Sequence, residues 1–409
     1  MQFFRQFLRR PRQLLLWKLN FQIHLWLGIL IALYLIVVGV TGSILVFRDE
    51  LEALAGLNPW QNLQTAEPFA DITEVIQNVQ TAYPSRPVIS VYTPTETDPV
   101  FEATVQGPQE RITVAAHPKT GAILGVVPSM HSWLSVVRDL HVNLMAGPKG
   151  RAANGIGGAL LVLLNVTGMV IWWPGIRSWK RALKIDLRRT WRRVNYDLHN
   201  AVGFWTLTLV TFWGISGFYF GWSREVFLFV DRISPIISAR PPVVTVKPVS
   251  DPAALDLKSI IARAYVLDPG TSLEGVQFPY HRRAPLEVYM RRGNHSGAEY
   301  MDTIYFNPWD GSHIQTWRYG VNESLGDCFI WLQIPLHYGT YWGLGLKTLW
   351  AFLGLSIPII TITGVLMYWN RVLRHKWKRL KYSGRRVSDL SADPSQPGLK
   401  ATEGKLKSY

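Results

Sequence analysis

Four of the ten histidines form two pairs whose neighbours recur along the chain, and imidazole is the commonest metal-binding side chain in proteins. In the first pair, His24 and His199 each lie near the start of a long apolar run. Each is followed four residues later by a glycine, Gly28 or Gly203, which would lie on the same face of a helix. This spacing predicts two imidazoles at one end of a helical bundle, each beside a position without a side chain.

The second pair is His141 and His337, and each of them precedes a further apolar run. The residues that recur around them without a gap are Leu140, Gly147, Gly158, Thr167 and Gly168 in one copy and Leu336, Gly343, Gly354, Thr363 and Gly364 in the other. Parallel repeats are related by an axis along the membrane normal, and such an axis would bring the members of each pair together.

Two facing imidazoles are a natural axial pair for haem iron. Because both axial positions would then be filled, such a haem suits electron transfer better than oxygen activation. The glycines beside the first pair leave room for a flat macrocycle. The single cysteine, Cys328, excludes the Cys-x-x-Cys-His attachment of a c-type haem, so any haem is held without thioether bonds.

Alternatives to this interpretation stay open at the level of sequence. Glycines on helix faces also serve close packing in lipid, and histidines near helix ends can anchor at the membrane interface. Copper or zinc could bind, although neither pair has an accompanying carboxylate or thiolate and structural zinc usually has four ligands. His131 is a rival to His141 as the outer ligand, but its repeat position is Asp327, so His141 is preferred. Four of the remaining histidines are predicted to be solvated in the outer domains: His117, His281, His295 and His313. His375, in the basic C-terminal tail, is predicted to face lipid headgroups or water.

Four apolar runs without charged residues must position these histidines, and each is long enough to cross a hydrocarbon core of about 30 Å as a helix. The predicted fold is an integral membrane α-helical protein with four transmembrane helices in two parallel repeats, each half carrying an extracytoplasmic α+β domain. The predicted segments are a basic cytoplasmic N-terminus (1–20), the first helix (21–47), the first outer domain (48–128), an outer interfacial segment (129–151), the second helix (152–174), a basic cytoplasmic loop (175–198), the third helix (199–222), the second outer domain (223–325), another outer interfacial segment (326–347), the fourth helix (348–370) and a basic cytoplasmic tail (371–409).

The formal net charge of +15 is concentrated in the N-terminal segment, the central loop and the C-terminal tail. Basic flanks on one side of the apolar runs follow the positive-inside rule, which places both termini in the cytoplasm and the two long connections outside. The charge therefore indicates membrane topology, and no nucleic acid partner is predicted. Tryptophans at the ends of the runs are predicted to form interfacial belts, among them Trp172, Trp173, Trp331, Trp342 and Trp369.

Each long outer segment has the pattern of a helix followed by strands. Apolar spacing predicts helices over Ile72–Tyr83 and Leu257–Val266. Alternation predicts strands near Val88–Tyr92, Val100–Val105, Arg111–Ala115, Ala122–Val127, Leu273–Phe278, Leu286–Arg291 and Thr303–Phe306. Both segments also contain a Pro-x-x-Gly turn, which ends at Gly121 in the first and at Gly311 in the second.

Several of these motifs together resemble a known family. They are Asp139, Leu140 and His141; Thr167, Gly168, Trp172, Trp173 and Pro174; Asp197, Leu198 and His199; Ser216 and Gly217; and the two Pro-x-x-Gly turns. They make nearly the whole chain similar to the PepSY-associated transmembrane family, which includes the iron-regulated membrane proteins and inner-membrane ferrisiderophore reductases of bacteria. The resemblance implies two periplasmic PepSY-like domains, membrane histidines that bind b-type haem, and reduction of ferric siderophores in the periplasm. The fourth helix departs from the second, ending in Tyr368, Trp369 and Asn370.

We therefore expect a di-haem b-type electron-transfer protein of the bacterial inner membrane, in which His24 and His199 hold one haem and His141 and His337 hold the other. It would reduce ferric siderophore for iron acquisition. No Gly-x-Gly-x-x-Gly fingerprint follows a predicted strand, so the expected electron donor is a quinol or a separate cytoplasmic reductase. The alternative is a non-enzymatic membrane anchor whose PepSY domains bind a peptide or peptidase. A transporter is less favoured, because the apolar runs contain no charged side chain.

Overall fold

The computed structural model describes residues 13–63, 68–95, 98–107, 111–127, 132–176, 178–244, 256–293, 301–339 and 343–374. These residues form a helical bundle and an antiparallel sheet. The helices are α1 (Leu15–Leu30), α2 (Ala32–Leu45), α3 (Arg48–Leu54), α4 (Ile72–Ala82), α5 (Trp133–Asn143), α6 (Gly147–Trp172), α7 (Trp179–Ala182), α8 (Trp191–Gly221), α9 (Ser223–Ile233), α10 (Leu257–Leu267), α11 (Leu325–Tyr338), α12 (Gly343–Gly354) and α13 (Ser356–Tyr368). The strands are β1 (Val88–Tyr92), β2 (Phe101–Gln106), β3 (Arg111–Ala116), β4 (Ile123–Val126), β5 (Thr271–Gln277), β6 (Leu286–Arg292), β7 (Met301–Phe306) and β8 (His313–Trp317).

Three stretches of described helix are long and apolar enough to cross a membrane, namely Gly147–Trp172, Trp191–Gly221 and Leu344–Leu373. A further candidate consists of α1 and α2 taken together, which meet at an angle of 65°. Ile31 lies at this bend, with neither proline nor glycine at the break to account for it. The molecule is therefore membrane-associated, with long apolar helices and a separate antiparallel sheet.

Glycines allow α6 and α8 to pack with their backbones in close contact. A Cβ atom at Gly158 would lie 2.6 Å from the Gly214 carbonyl oxygen, and one at Gly221 would lie 2.6 Å from the Gly155 Cα atom. Small residues permit such an approach between helices in lipid, where association depends on van der Waals packing. The contact fixes the two straight helices of the bundle against each other.

All eight strands belong to one antiparallel sheet in the order β4-β3-β2-β1-β5-β6-β7-β8. The two outer segments are joined where β1 pairs with β5, with Val91 opposite Val276. Each half ends in a turn that requires a left-handed glycine, because φ is +63° at Gly121 and +64° at Gly311. Four consecutive strands from each outer segment thus form one continuous surface.

One face of the sheet is apolar and is covered by α4 and α10. Val75 and Val79 from α4 and Ile260 from α10 pack against the strands, with Val91 and Val288 among the fully buried strand residues. Asp71 and Asp256 begin the two helices by accepting hydrogen bonds from the Thr73 and Lys258 backbone N–H groups. Alternation along the strands leaves the other face polar and aromatic.

Short helices connect the sheet to the bundle. Ser132 caps the N-terminus of α5 and Ser324 caps that of α11, and both helices end in a left-handed residue, Leu144 and Gly339. Lys347, at the start of the last apolar stretch, pairs with Glu50 at 2.9 Å. This ion pair joins α3 to α12.

The predicted helices and the seven predicted strands of the outer segments are all present, with bounds that differ by a few residues at most. The sequence did not predict β8. Its residues show no alternation of buried and exposed positions, since all of them are exposed or half-buried. It is recognisable as a strand only through its pairing with β7.

Candidate functional site

The two predicted histidine pairs are both formed. The imidazoles of His24 on α1 and His199 on α8 have ring centroids 6.4 Å apart, with an angle of 85° between the ring planes. The imidazoles of His141 on α5 and His337 on α11 have centroids 6.3 Å apart, with an angle of 57°. We name the first the distal pair and the second the proximal pair, according to their distance from the sheet.

Each histidine of the distal pair is held by a neighbouring helix through its Nδ1 atom. His24 Nδ1 lies 3.1 Å from both the Leu164 carbonyl oxygen and the Thr167 hydroxyl of α6. His199 Nδ1 lies 2.9 Å from the Ile360 carbonyl oxygen and 3.1 Å from the Thr363 hydroxyl of α13. Equivalent residues thus hold both imidazoles in the same way.

The proximal pair is held in a related way. His141 Nδ1 lies 3.1 Å from both the Val38 carbonyl oxygen and the Thr41 hydroxyl of α2. His337 Nδ1 lies 2.6 Å from the Ser216 hydroxyl of α8. As in the distal pair, each imidazole is oriented by a helix other than its own.

Side chains from the following helices also hold the ends of α5 and α11. Asn154 donates to the His141 carbonyl oxygen at 2.7 Å, and the Trp350 indole N–H donates to the Leu336 carbonyl oxygen at 2.7 Å. These carbonyls are at the C-terminal ends of their helices, where no intrahelical donor is available. The backbone that carries each proximal histidine is therefore fixed as well as its ring.

The hydrogen bonds determine which ring nitrogen carries the proton. Carbonyl oxygens can only accept, so Nδ1 must donate in His24, His141 and His199. The Ser216 hydroxyl is within hydrogen-bonding distance of its own helix at the Phe212 carbonyl oxygen (3.0 Å), which uses its single proton and leaves it to accept from His337. In all four rings the Nε2 lone pair is then available to a metal, the arrangement that second-shell partners typically impose on ligating histidines.

The separation of the rings fits two ligands on opposite sides of one metal. An imidazole nitrogen lies about 2.0–2.1 Å from a bound first-row metal, and the ring centre lies about 1.1 Å behind it, so opposed rings have centroids about 6.3 Å apart. The observed centroid separations are 6.4 Å and 6.3 Å. Both pairs therefore have the separation at which two imidazoles could hold one haem iron.

Glycines around the pairs fall into two groups. A Cβ atom at Gly168, Gly364 or Gly42 would lie 3.1, 3.1 or 2.8 Å from the Cε1 atom of the adjacent histidine ring, so these positions admit the rings themselves. By contrast, a Cβ atom at Gly203 would meet no heavy atom of the described residues within 4 Å, and one at Gly28 would meet only Leu164 at 3.8 Å. Space therefore lies beside the distal pair, as a flat macrocycle requires.

Among the described residues, three further histidines lie apart from these pairs: His117, His281 and His313. His131, the rival outer ligand, lies outside the described residues, as do His295 and His375. His117 and His281 accept hydrogen bonds through Nδ1 from backbone N–H groups within their own turns, and His313 lies 2.9 Å from the Thr316 hydroxyl. The assignment of haem ligands to His24, His199, His141 and His337 stays a prediction that this geometry favours.

The hydroxyl groups that hold the rings were not predicted from the sequence. Thr41, Ser216, Thr167 and Thr363 recur in the repeats, and each immediately precedes a glycine. A hydroxyl beside a glycine, repeated in register with a histidine, was the available signal. It indicates a position where a helix admits an imidazole and offers it an acceptor.

The fold and the site define a class of membrane protein. In this class, long apolar helices next to an antiparallel sheet position two facing pairs of histidines. The model of the PepSY-associated TM region matches residues 21–371, and the chain belongs to that family. The family predicted from the motifs is thereby confirmed. The narrower resemblance to ferrisiderophore reductases stays a prediction.

A relative from Pseudomonas aeruginosa, Uncharacterized protein PA4219, is 23% identical over 260 residues. The match covers 58% of this chain and 64% of the relative, so the chain spans less than two thirds of the length of the curated protein it matches. Its name assigns no activity.

Proposed function

We propose that the chain is a di-haem b-type transmembrane electron-transfer protein that reduces ferric siderophore on the periplasmic side of the bacterial inner membrane. The observation that carries the proposal is the spacing of both histidine pairs, 6.4 Å and 6.3 Å between ring centroids. When bound, the two haems would supply one-electron transfer between the membrane faces. Burial, axial ligands and hydrogen bonds from the protein would set their potentials.

The proposal includes the finer architecture. We propose four membrane spans, with α1 and α2 forming the first, arranged as two parallel repeats with both termini in the cytoplasm. The sheet then consists of two PepSY-like domains in the periplasm. Support comes from the equivalent contacts in the two halves, since Thr167 holds His24 as Thr363 holds His199.

In this arrangement the chain's own residues orient and insulate the ligands. The Nδ1 contacts prevent each ring from rotating and keep Nε2 unprotonated, which a metal ligand requires. The distal pair faces the electron donor, a quinol or a separate cytoplasmic reductase. The proximal pair faces the ferric siderophore.

Side chains between the proximal pair and the sheet favour the periplasmic side for the substrate. The Tyr338 ring lies 5.6 Å from the His337 ring and stacks on Phe220 at 6.0 Å. In the sheet itself, burial raises the pKa of Glu102 on β2 to about 7, with Asp98 and Glu52 adding to the rise and Arg48 opposing it. A substrate on this side would meet aromatic groups beside the proximal pair and ionisable groups on the sheet.

The optical spectrum of the detergent-purified chain tests the proposal. We expect dithionite-sensitive haem bands and about two haems per chain, with His24→Ala and His141→Ala each removing about one. His117→Ala is the matched control, because its ring bonds only within its own turn. Adding a ferric siderophore to the reduced protein should restore the oxidised spectrum. A folded, colourless preparation from haem-replete cells would refute the proposal and favour a membrane anchor that binds a peptide or peptidase.

A further inference from the structure

Three indole N–H groups near the distal pair are buried and have no hydrogen-bond acceptor among the described residues. They belong to Trp17, Trp172 and Trp173. An unsatisfied donor is costly inside an apolar region, because no water is available to replace the missing acceptor. A ligand bound at this end of the bundle would supply acceptors to these donors.

Trp172 is positioned directly beyond His24. It follows Gly168 by four residues on α6, and therefore lies on the same helix face, about 6 Å further toward the helix end. Gly168 is the residue whose Cβ position lies 3.1 Å from the His24 ring. The Trp172 ring is held by stacking on Phe204, with centroids 4.3 Å apart, and lies 6.3 Å from the ring of Trp173.

Trp17 approaches the same end from α1. It precedes His24 by seven residues, two turns along the same face, which places it about 10 Å from His24 along the helix. Its ring stacks on Phe21 at 5.6 Å. The Arg371 guanidinium lies 5.4 Å from the centre of the Phe21 ring, at the π-helical turn that follows α13. A cation thus lies beside the stack of Phe21 and Trp17.

Donors beside a cation select an anionic acceptor, and a carboxylate suits both indole N–H and guanidinium groups. We propose that Trp17, Trp172 and Arg371 bind the carboxylate side chains of the porphyrin held between His24 and His199. The assignment rests on the proposed function, and it fixes which edge of the macrocycle faces the helix ends.

Replacing indole by phenyl removes the N–H group and keeps a stacking ring. We compare the full-length variants Trp172→Phe and Trp17→Phe in their binding of two ligands, haem and haem dimethyl ester. The ester lacks the carboxylate charge. Trp26→Phe is the matched control, because its indole N–H donates to Gln22 at 3.1 Å and its ring is exposed. The His141→Ala background confines the measurement to the distal pair.

We expect each of the two variants to release haem about 5- to 10-fold faster than the Trp26→Phe control, the size of one hydrogen bond. Transfer of haem to a scavenging protein measures this release. With the dimethyl ester the difference should shrink to less than twofold. Arg371→Gln should show the same dependence on the carboxylates, and its effect should weaken at high salt.

Loss of both haem and ester to the same extent in Trp172→Phe and Trp17→Phe would show a purely structural role and overturn the assignment. So would rates equal to the Trp26→Phe control. A lipid phosphate could instead be the ligand of these indoles. In that case vesicles with anionic lipid, but not those with neutral lipid, would change the tryptophan fluorescence of the haem-free chain, and this change would be lost in Trp172→Phe. Such a result with unaltered haem release would show that the assignment is wrong. A wild-type chain that binds neither haem nor ester would refute the proposed function itself, a distinct result.

Discussion

Removing the hydroxyl that holds a histidine should weaken haem binding without changing the fold. Thr167→Val is nearly isosteric and removes the acceptor that lies 3.1 Å from His24 Nδ1. Thr363→Val does the same for His199, and Ser216→Ala removes the hydroxyl that lies 2.6 Å from His337 Nδ1. In each case the imidazole is retained, but its orientation is less restricted and the basicity of Nε2 falls.

The loss of haem affinity depends on which hydrogen-bond acceptors each histidine keeps after the substitution. Mutation of an outer-shell partner costs about 10- to 100-fold in metal affinity, or about 1.4 to 2.8 kcal/mol. His24 and His199 keep the carbonyl oxygens of Leu164 and Ile360 as acceptors at 3.1 and 2.9 Å, so we expect about tenfold at the distal pair. Within the described part of the chain, Ser216 is the acceptor for His337 Nδ1, so its removal should cost about 100-fold.

Titration of the haem-free chain with haem, followed by the shift of the main absorption band, measures these affinities. Thr206→Val is the control, since its buried hydroxyl donates to its own helix at the Val202 carbonyl oxygen. Affinities equal to that control, or a smaller loss for Ser216→Ala than for Thr167→Val, would refute the reasoning. The reduction midpoints should shift at the affected site alone.

Two further predictions concern stability. Burial and the nearby Asp98 raise the pKa of Glu102 from 4.5 to about 7. Between those pH values the folded state retains a proton that the unfolded chain releases, so the free energy of unfolding should fall as the pH rises. The melting temperature of Glu102→Gln should not show this fall. Gly158→Ala places a methyl group 2.6 Å from the Gly214 carbonyl oxygen. This substitution should lower the free energy of unfolding by about 1–3 kcal/mol and therefore lower the melting temperature. Gly345→Ala is the control and should melt as wild type, because a Cβ atom there would meet no described atom within 4 Å.

The histidine pairs could be predicted because an imidazole in an apolar context is rare and because repetition singled out four of ten. Repetition also predicted which members meet, since His24 and His199 occupy equivalent positions in the two halves. The hydroxyl partners could not be assigned in the same way. Thr167 lies 143 residues from His24, and a threonine in a helix usually bonds to its own backbone, as Thr206 does.

In the outer segments, too, the sequence predicts individual strands but not which strands pair. Period-two alternation predicted β1 and β5 individually, because each has one buried face. Nothing in that pattern states that β1 pairs with β5, since an edge strand and a central strand can have the same alternation. The joined sheet therefore emerged only from the register of Val91 with Val276.

The bend at Ile31 was also unpredictable, because no proline or glycine marks it. Its position becomes meaningful once both pairs are known. The bent segment gives an imidazole to the distal pair through His24 and a hydroxyl to the proximal pair through Thr41. On α8, His199 and Ser216 divide the same two tasks along one straight helix.

This division of tasks links the two pairs mechanically. Each pair receives its rings from two helices and its Nδ1 acceptors from two others, so none of these contributing helices can move without disturbing a ring. Within the described residues, α1 with α2 and α8 each contribute to both pairs. A change that altered the bend at Ile31 would therefore move His24 relative to Thr41 and disturb both pairs, whereas the straight α8, held against α6 by Gly158 and Gly214, should keep His199 and Ser216 at a fixed separation.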